Sequence, residues 1–201
     1  MEIAKIVLAW AAFAVFHSLT VSEEYERLAR RAMGDRAFDT FHRLLFTAYS
    51  AAATAATLLY IGSLPDAPLY RVEGWPRLLL HAAQASGAAL LFLTPWDLWE
   101  FVGLRQLLRF LRGEGAGSGE RKRLFTGKAY GLVRHPIYLG CSILLAFHPV
   151  QTRNSIASTA AIVAYFYIGT FFEERRLDRM FGEEYREYRK RVPRFFPLSR
   201  R

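Results

Sequence analysis

The sequence predicts an all-α integral membrane protein. It calls for about five transmembrane helices, an interfacial amphipathic helix and a cytoplasmic C-terminal helix. Three observations carry that prediction. The 201 residues are 52% apolar and 15% aromatic, at a mean hydropathy of +0.08, yet 22% are charged. The charges crowd between stretches of 16 to 21 residues that hold one charge or none. The 27 basic residues also alternate in density from one inter-span region to the next. A disordered chain is excluded by the apolar content, and a soluble globule does not segregate its charges in this way. The single cysteine, Cys141, excludes a disulfide framework within the chain and a multi-cysteine metal cluster.

A helical span needs roughly 20 apolar residues to cross a bilayer. Ile3 to Val21 provides 19 with one charge, Lys5, placed near the end where it can snorkel. No small-residue cleavage site follows it, and Glu23 and Glu24 come next, so a cleaved signal peptide is a poor alternative. Leu44 to Leu64 provides 21 uncharged residues, Leu78 to Pro95 provides 18, and Ser155 to Phe172 provides 18. Ile137 to Thr152 provides only 16, interrupted by Pro149. Spans one to three are rich in Ala, Ser, Thr and Gly, which lets helices approach closely.

The basic residues support five crossings. The regions after spans one, three and five hold 23 of them, and the regions before span one and after spans two and four hold 4. This alternation is what the positive-inside rule expects of a multi-pass, inner-membrane type of protein with its N-terminus outside and its C-terminus in the cytoplasm. The net charge of +9 is then accounted for by cytoplasmic loops beside anionic lipid, and no nucleic-acid partner is needed.

The chain divides as a single membrane domain, 1–201, in three stretches. Residues 1–95 hold three spans. Residues 96–120 form an interfacial helix and linker. Trp96, Leu98, Trp99, Phe101, Leu104 and Leu108 interleave there with Asp97, Glu100, Arg105, Arg109 and Arg112, the pattern of a helix lying in the interface. Glycines 113, 115, 117 and 119 miss the Gly-x-Gly-x-x-Gly spacing and no strand precedes them, so they read as a linker. Residues 121–201 hold spans four and five and a charged tail. Phe181, Tyr185 and Tyr188 recur on one helical face of that tail, which is expected to continue span five until Pro193 stops it.

Histidines 17, 42, 81, 135 and 148 show no paired ligand spacing, so no metal is expected, and no nucleophile turn is present. Three other features stand out. In Arg134-His135-Pro136-Ile137-Tyr138, preceded by Tyr130, the proline suits the first turn of a helix whose positive end can hold an anion such as a carboxylate. Its plain alternative is a helix start in an aromatic belt. Glu173-Glu174 directly follows span five; this is either the return to water or a carboxylate kept in a pocket for a cation. Val192-Pro193-Arg194-Phe195-Phe196-Pro197 can fold back as a rigid lid. All three fall on the cytoplasmic side, and together they suit a zwitterionic ligand that also carries a cation.

These residues resemble the membrane methyltransferase superfamily of isoprenylcysteine carboxyl methyltransferase and the phospholipid N-methyltransferases. The resemblance runs from Tyr130-Gly131-Leu132-Val133-Arg134-His135-Pro136-Ile137-Tyr138-Leu139-Gly140 through Glu173-Glu174-Arg175-Arg176-Leu177 and Phe181-Gly182-Glu183-Glu184-Tyr185 to Val192-Pro193-Arg194. His17-Ser18, Trp96-Asp97-Leu98-Trp99 and Gly103-Leu104-Arg105-Gln106 resemble the methanethiol S-methyltransferase and NnrU-like branch. The resemblance implies S-adenosylmethionine as methyl donor, bound at the cytoplasmic ends of spans four and five without a Rossmann fold. It implies cofactor contacts at Tyr130, His135, Pro136, Ile137, Tyr138 and Arg194, with Leu124 and Phe125 bordering the adenosine and Glu173 facing the cofactor. Two departures stand against it. Gly127-Lys128-Ala129-Tyr130 is one residue longer than the usual Gly-x-Tyr, and Gly169 stands where prenylcysteine enzymes carry a substrate-binding arginine.

A methyl sulfonium is already electrophilic, so such a site works by aligning a nucleophile and excluding water. A thiol reacts as thiolate, for which His17 and Glu174 are the candidate bases. The expected function is S-methylation of a small or lipophilic thiol in the bilayer. Two alternatives stay open: methylation of prenylcysteine carboxylates or phospholipid amines, and a non-enzymatic NnrU-like membrane partner. Charge alone yields a first prediction. In intact cells, a membrane-impermeant thiol reagent should label a cysteine placed at Asp66 and leave one placed at Ser118 unlabelled; the reverse pattern overturns the orientation.

Overall fold

The computed structural model describes residues 1–95, 97–114 and 123–195. Trp96, the linker glycines 115, 117 and 119, and Phe196 and Pro197 of the expected lid lie outside the described residues. Three helices are long and apolar enough to cross a membrane: α1 (Glu2–Thr20), α3 (Asp35–Gly62) and α8 (Arg153–Phe181). Few of their residues are buried within the chain, and large apolar side chains such as Phe92, 89% exposed, stand bare. A soluble monomer does not leave apolar surface on this scale in water, whereas lipid covers it without cost.

The described residues fall into two units that do not follow chain order. One comprises Met1–Val7, Pro65–Pro95 and the described part of Arg123–Arg201; the other comprises Leu8–Leu64 and the described part of Trp96–Lys122. The expected grouping of three N-terminal spans is therefore not how the chain clusters. Span three, α4 (Pro76–Leu93), packs with the C-terminal elements instead.

In the second unit, Ser22 caps α2 (Glu23–Met33) by accepting from the Tyr25 N–H, and α3 begins nine residues before the expected span. Arg30 ties α2 to α3: it pairs with Asp39 at 2.7 Å and lies over the Phe38 ring at 4.3 Å. The expected interfacial helix is two pieces, α5 (Leu98–Phe101) and α6 (Leu104–Leu111). They are parted at Gly103, where a Cβ would lie 2.5 Å from the backbone nitrogen of Leu44 on α3.

The first unit holds the main difference from the expected spans. Span four is not a continuous helix. A 3-10 turn (Lys128–Gly131) leads into α7 (Pro136–Ala146), which then gives way to a turn and β2 (Val150–Thr152). β2 pairs antiparallel with β1 (Pro68–Arg71), with Pro68 opposite Thr152 and Arg71 opposite Val150. At 1.5 Å per residue α7 rises only about 16 Å, roughly half a hydrocarbon core of about 30 Å. Residues 147–149 turn the chain, and the three strand residues add only roughly 10 Å. A helix that stops at depth must have its last carbonyls satisfied by protein. The Gln84 side-chain amide donates to Leu144 O at 3.0 Å, that of Gln151 donates to Leu145 O at 2.9 Å, and the Phe147 N–H donates to Ile143 O.

α8 starts at a reciprocal cap between Thr152 and Ser155. From there to Glu174 the helix rises about 30 Å, so the hairpin and the acidic pair lie a bilayer's thickness apart. The expected continuation into the tail breaks at Gly182 (φ 56°), after which α9 (Glu183–Arg191) runs separately.

α4 and α7 cross on glycine. A Cβ on Gly87 would lie 2.8 Å from Gly140 O, and one on Gly140 would lie 2.7 Å from Gly87 O. Backbone cannot give way as a side-chain tip can. Gly87→Ala and Gly140→Ala should each cost about 1–3 kcal/mol by overpacking, read as a lower unfolding temperature of the detergent-purified protein. Gly169→Ala, with nothing within 4 Å of its added Cβ, should leave that temperature unchanged or raised.

Candidate functional site

The site forms where the entrance of α7, the last turns of α8 and the segment after α9 come together. Pro136 takes the first position of α7, where its missing N–H costs nothing, and leaves Arg134 and His135 just outside the helix. Glu174 faces them from α8. Its carboxylate is 5% exposed and is surrounded by donors. Oε1 accepts from Arg134 Nε at 3.0 Å and Nη2 at 2.8 Å, from His135 Nε2 at 3.1 Å and from Arg194 Nε at 3.0 Å. Oε2 accepts from Arg194 Nη2 at 2.9 Å. Burying a carboxylate is prohibitive without such partners.

His135 lies between two carboxylates, its Nε2 toward Glu174 and its Nδ1 3.5 Å from Glu173 Oε2. A carboxylate only accepts, so both ring nitrogens are called on to donate, which describes imidazolium. Burial pulls the His135 pKa down, but the hydrogen bonds to Glu173 and Glu174 outweigh it and carry the value above 6.5. Glu173 itself is 44% exposed. The two neighbouring acids thus differ sharply: one is enclosed by cations, and the other presents its charge outward.

Aromatic rings line the same ground. Tyr138 stacks on His135 (5.6 Å between centroids) and on Phe166 (5.0 Å), and its hydroxyl bonds Glu173. The Arg194 guanidinium lies 4.1 Å from the centre of the Phe171 ring. From α9, the Tyr188 hydroxyl donates to Tyr130 O at 2.8 Å. Tyr185 is fully buried, and burial and the charge of Glu174 push its hydroxyl up to about 12. The tail crosses the entrance of α7 along its backbone: the N–H of Arg134 donates to Pro193 O at 2.9 Å and that of His135 to Arg194 O at 3.3 Å. The N–H of His135, beside the helix end expected to hold an anion, is therefore taken by the chain itself.

The structure brings together His135, Tyr138, Glu173, Glu174 and Arg194. Pro136 and the half-buried Ile137 continue from them into α7. Phe125 meets Tyr130 edge-on at 6.2 Å, beside the half-buried Leu124. The extra residue before Tyr130 is absorbed in the 3-10 turn, where Lys128 takes a left-handed conformation (φ 51°). His17 belongs to the second unit and packs against the rings of Phe13 and Phe46. The role of base expected for Glu174 does not fit its surroundings, because a carboxylate held by two guanidiniums is a weak proton acceptor. Sequence reasoning missed Arg134 as a site residue, although it stands in the same motif. Its permanent charge, next to a proline-started helix and matched by a distant acid, was the available signal.

Comparison with known proteins gives mostly methyltransferases, together with the chloroplastic 15-cis-zeta-carotene isomerase of Arabidopsis thaliana, 23% identical over 95% of the chain and 48% of that protein. Over 117 residues, 57% of the chain, it is 35% identical to methanethiol S-methyltransferase 1 of Bradyrhizobium diazoefficiens, covering 40% of that protein. It is 26% identical to the methanethiol S-methyltransferase of Mycobacterium tuberculosis over 94% of the chain and 75% of the relative. It is 35% identical to protein-S-isoprenylcysteine O-methyltransferase B of Arabidopsis thaliana over 39% of the chain and 42% of the relative. In the first three matches to curated relatives the chain spans half or less of the relative's length. No family model matches the chain, and no solved structure does.

The charge cluster makes a further prediction. His135 has a raised folded pKa, so its contribution to stability is fully present below pH 6.5 and is lost as pH rises through the folded value. Glu174→Gln should remove about 3–5 kcal/mol, because it strands buried Arg134, and should flatten that pH dependence. Thermal unfolding in detergent from about pH 6 to about pH 9 reads both effects; a variant as stable and as pH-sensitive as wild type would contradict the cluster.

Proposed function

Starting from the chain's kinship with the isoprenylcysteine carboxyl methyltransferase-like membrane methyltransferases, we propose that it is an S-adenosylmethionine-dependent enzyme that S-methylates a small or lipophilic thiol at the cytoplasmic face of a membrane. The observation that carries this reading is the contrast between Glu173 and Glu174. With Glu174 enclosed by Arg134, His135 and Arg194, Glu173, touched by His135 and Tyr138 yet 44% exposed, is the acid open to a cation from outside the chain. The cofactor has an ammonium, a sulfonium and a carboxylate, and the residues present suit all three. Glu173 would hold the ammonium. The stacked rings of Tyr138 and Phe166 would border the sulfonium with aromatic surface. Arg194, one quarter exposed, would take the carboxylate. Phe125 and Tyr130 would border the adenosine. When bound, the cofactor supplies a methyl group already activated toward nucleophiles.

The chain's part is then to position and to exclude water. His135 is pinned on both nitrogens and stacked on Tyr138, so the wall of the site is fixed before any ligand arrives. The acceptor is argued from Gly169, one helical turn before Glu173. A Cβ there would touch nothing within 4 Å, so packing does not demand glycine. The position supplies room and no charge. A carboxylate acceptor in such apolar ground would lack a counterion, whereas a thiol partitions into the membrane and needs none. Glu174, engaged by Arg134, His135 and Arg194, is not available as a general base.

Calorimetry on folded, detergent-purified variants tests the cofactor site. His135→Ala and Glu173→Gln should each raise the dissociation constant of S-adenosylmethionine roughly tenfold or more, as the loss of a charge-assisted hydrogen bond does. Unchanged affinity removes them from the site. Transfer of labelled methyl to a panel of thiols, N-acetyl farnesylcysteine and phospholipids tests the acceptor. Fastest turnover on the farnesylcysteine would install the carboxyl methyltransferase reading, and cofactor binding absent from the wild type would favour a non-enzymatic membrane partner.

A further inference from the structure

We propose that Val192–Phe195 is a strap, rooted at Val192 and latched at Arg194, whose release admits ligand to the ground beside His135 and Tyr138. The role given to that ground rests on the cofactor reading above; the strap itself rests on the geometry alone.

The root is held by Arg134. Its Nη1 donates to Val192 O at 2.7 Å and to Arg189 O at 3.1 Å, and its own N–H donates to Pro193 O. Arg134 is 9% exposed and has Glu174 as counterion, so it cannot leave without stranding charge. Pro193 has a fixed φ, which places the first easy rotation after it. Beyond that point the attachments are of a different kind. Arg194 grips Glu174 through two nitrogens and lies on Phe171, its carbonyl accepts a 3.3 Å bond from His135, and Phe195 rests against His135 and Tyr167 at 5.9 and 6.1 Å between ring centres.

The cluster is built so that one member can leave. Five donor contacts converge on Glu174, whereas a carboxylate offers about four lone-pair sites. If Arg194 departs, Glu174 keeps Arg134 and His135, so no buried charge is left alone. Arg194 is the most exposed of the three cations, which makes its return to water the least costly. Swinging it out lifts Phe195 from the ring of His135 and frees the His135 N–H. It also presents a guanidinium that has just lost its carboxylate to any carboxylate that arrives.

Amide hydrogen exchange by NMR on the full chain in micelles separates root from latch. In Arg194→Gln and in Phe195→Ala, exchange at the His135 amide should quicken on the order of tenfold, while the Arg134 amide, bonded at the root, keeps its wild-type rate. An unchanged His135 amide in both variants overturns the strap. So does equal acceleration at Arg134, His135 and along α7, which would be general loosening. The gating is tested by the association rate of S-adenosylmethionine to wild type and Phe195→Ala, which should rise several-fold in the variant. Faster exchange with an unchanged association rate overturns the gating. No binding to the wild type overturns the cofactor reading and the gating with it, and the exchange data still decide the latch.

Discussion

A carboxylate buried in the last turns of a membrane helix must be surrounded by cations, and Glu174 gathers its own from two separate parts of the chain. Arg134 and His135 come from the approach to α7, and Arg194 comes from beyond α9. The connection of α7 to α8, the return of α9 and the course of the tail all meet this one requirement. Arg134 serves it twice, once through its guanidinium on Glu174 and once through the carbonyls of Arg189 and Val192. The site is thus an ion cluster that also closes the fold.

The opposite end of the same unit is organised by a different constraint. α7 stops about halfway through the thickness that α8 spans, and its last carbonyls must be paired within the protein. Gln84 and Gln151 supply donors from α4 and from β2, and the glycine crossing of α4 on α7 brings Gln84 within reach. A short helix has a benefit for the site. It seats His135 and Tyr138 at one face while its far end is tied to the hairpin, so the entrance of α7 is fixed from both directions.

The proposed chemistry follows from separating two adjacent acids. Glu174 gives up its reactivity to hold the architecture, and Glu173 keeps an outward charge that an arriving cation can use. The same separation applies to the arginines: Arg134 is 9% exposed and Arg194 25%. Under the proposed reading, a zwitterion would meet the more exposed charge of each sign, Glu173 and Arg194, each beside a more deeply buried neighbour.

Much of this was legible in the sequence because it is local. Uncharged runs and a lopsided distribution of basic residues mark membrane helices, since hydrophobicity and charge act on each stretch independently of the rest. Pro136 marks a helix start by its own covalent structure, and the motif from Tyr130 to Tyr138 with Glu173 and Glu174 names residues that the fold brings together. What only the tertiary structure decided depends on partners far apart in the chain. The expected fourth span became a short helix, a turn and a three-residue strand, and that strand pairs with β1, some eighty residues earlier by sequence number. The expected grouping of the first three spans gave way because α4 meets α7 on glycine. Glu174, expected as a base, is a counterion because Arg134 lies 40 residues before it and Arg194 lies 20 after it. Ion pairing and hydrogen bonding are satisfied between groups that folding brings together, and spacing along the chain carries no record of which groups those will be.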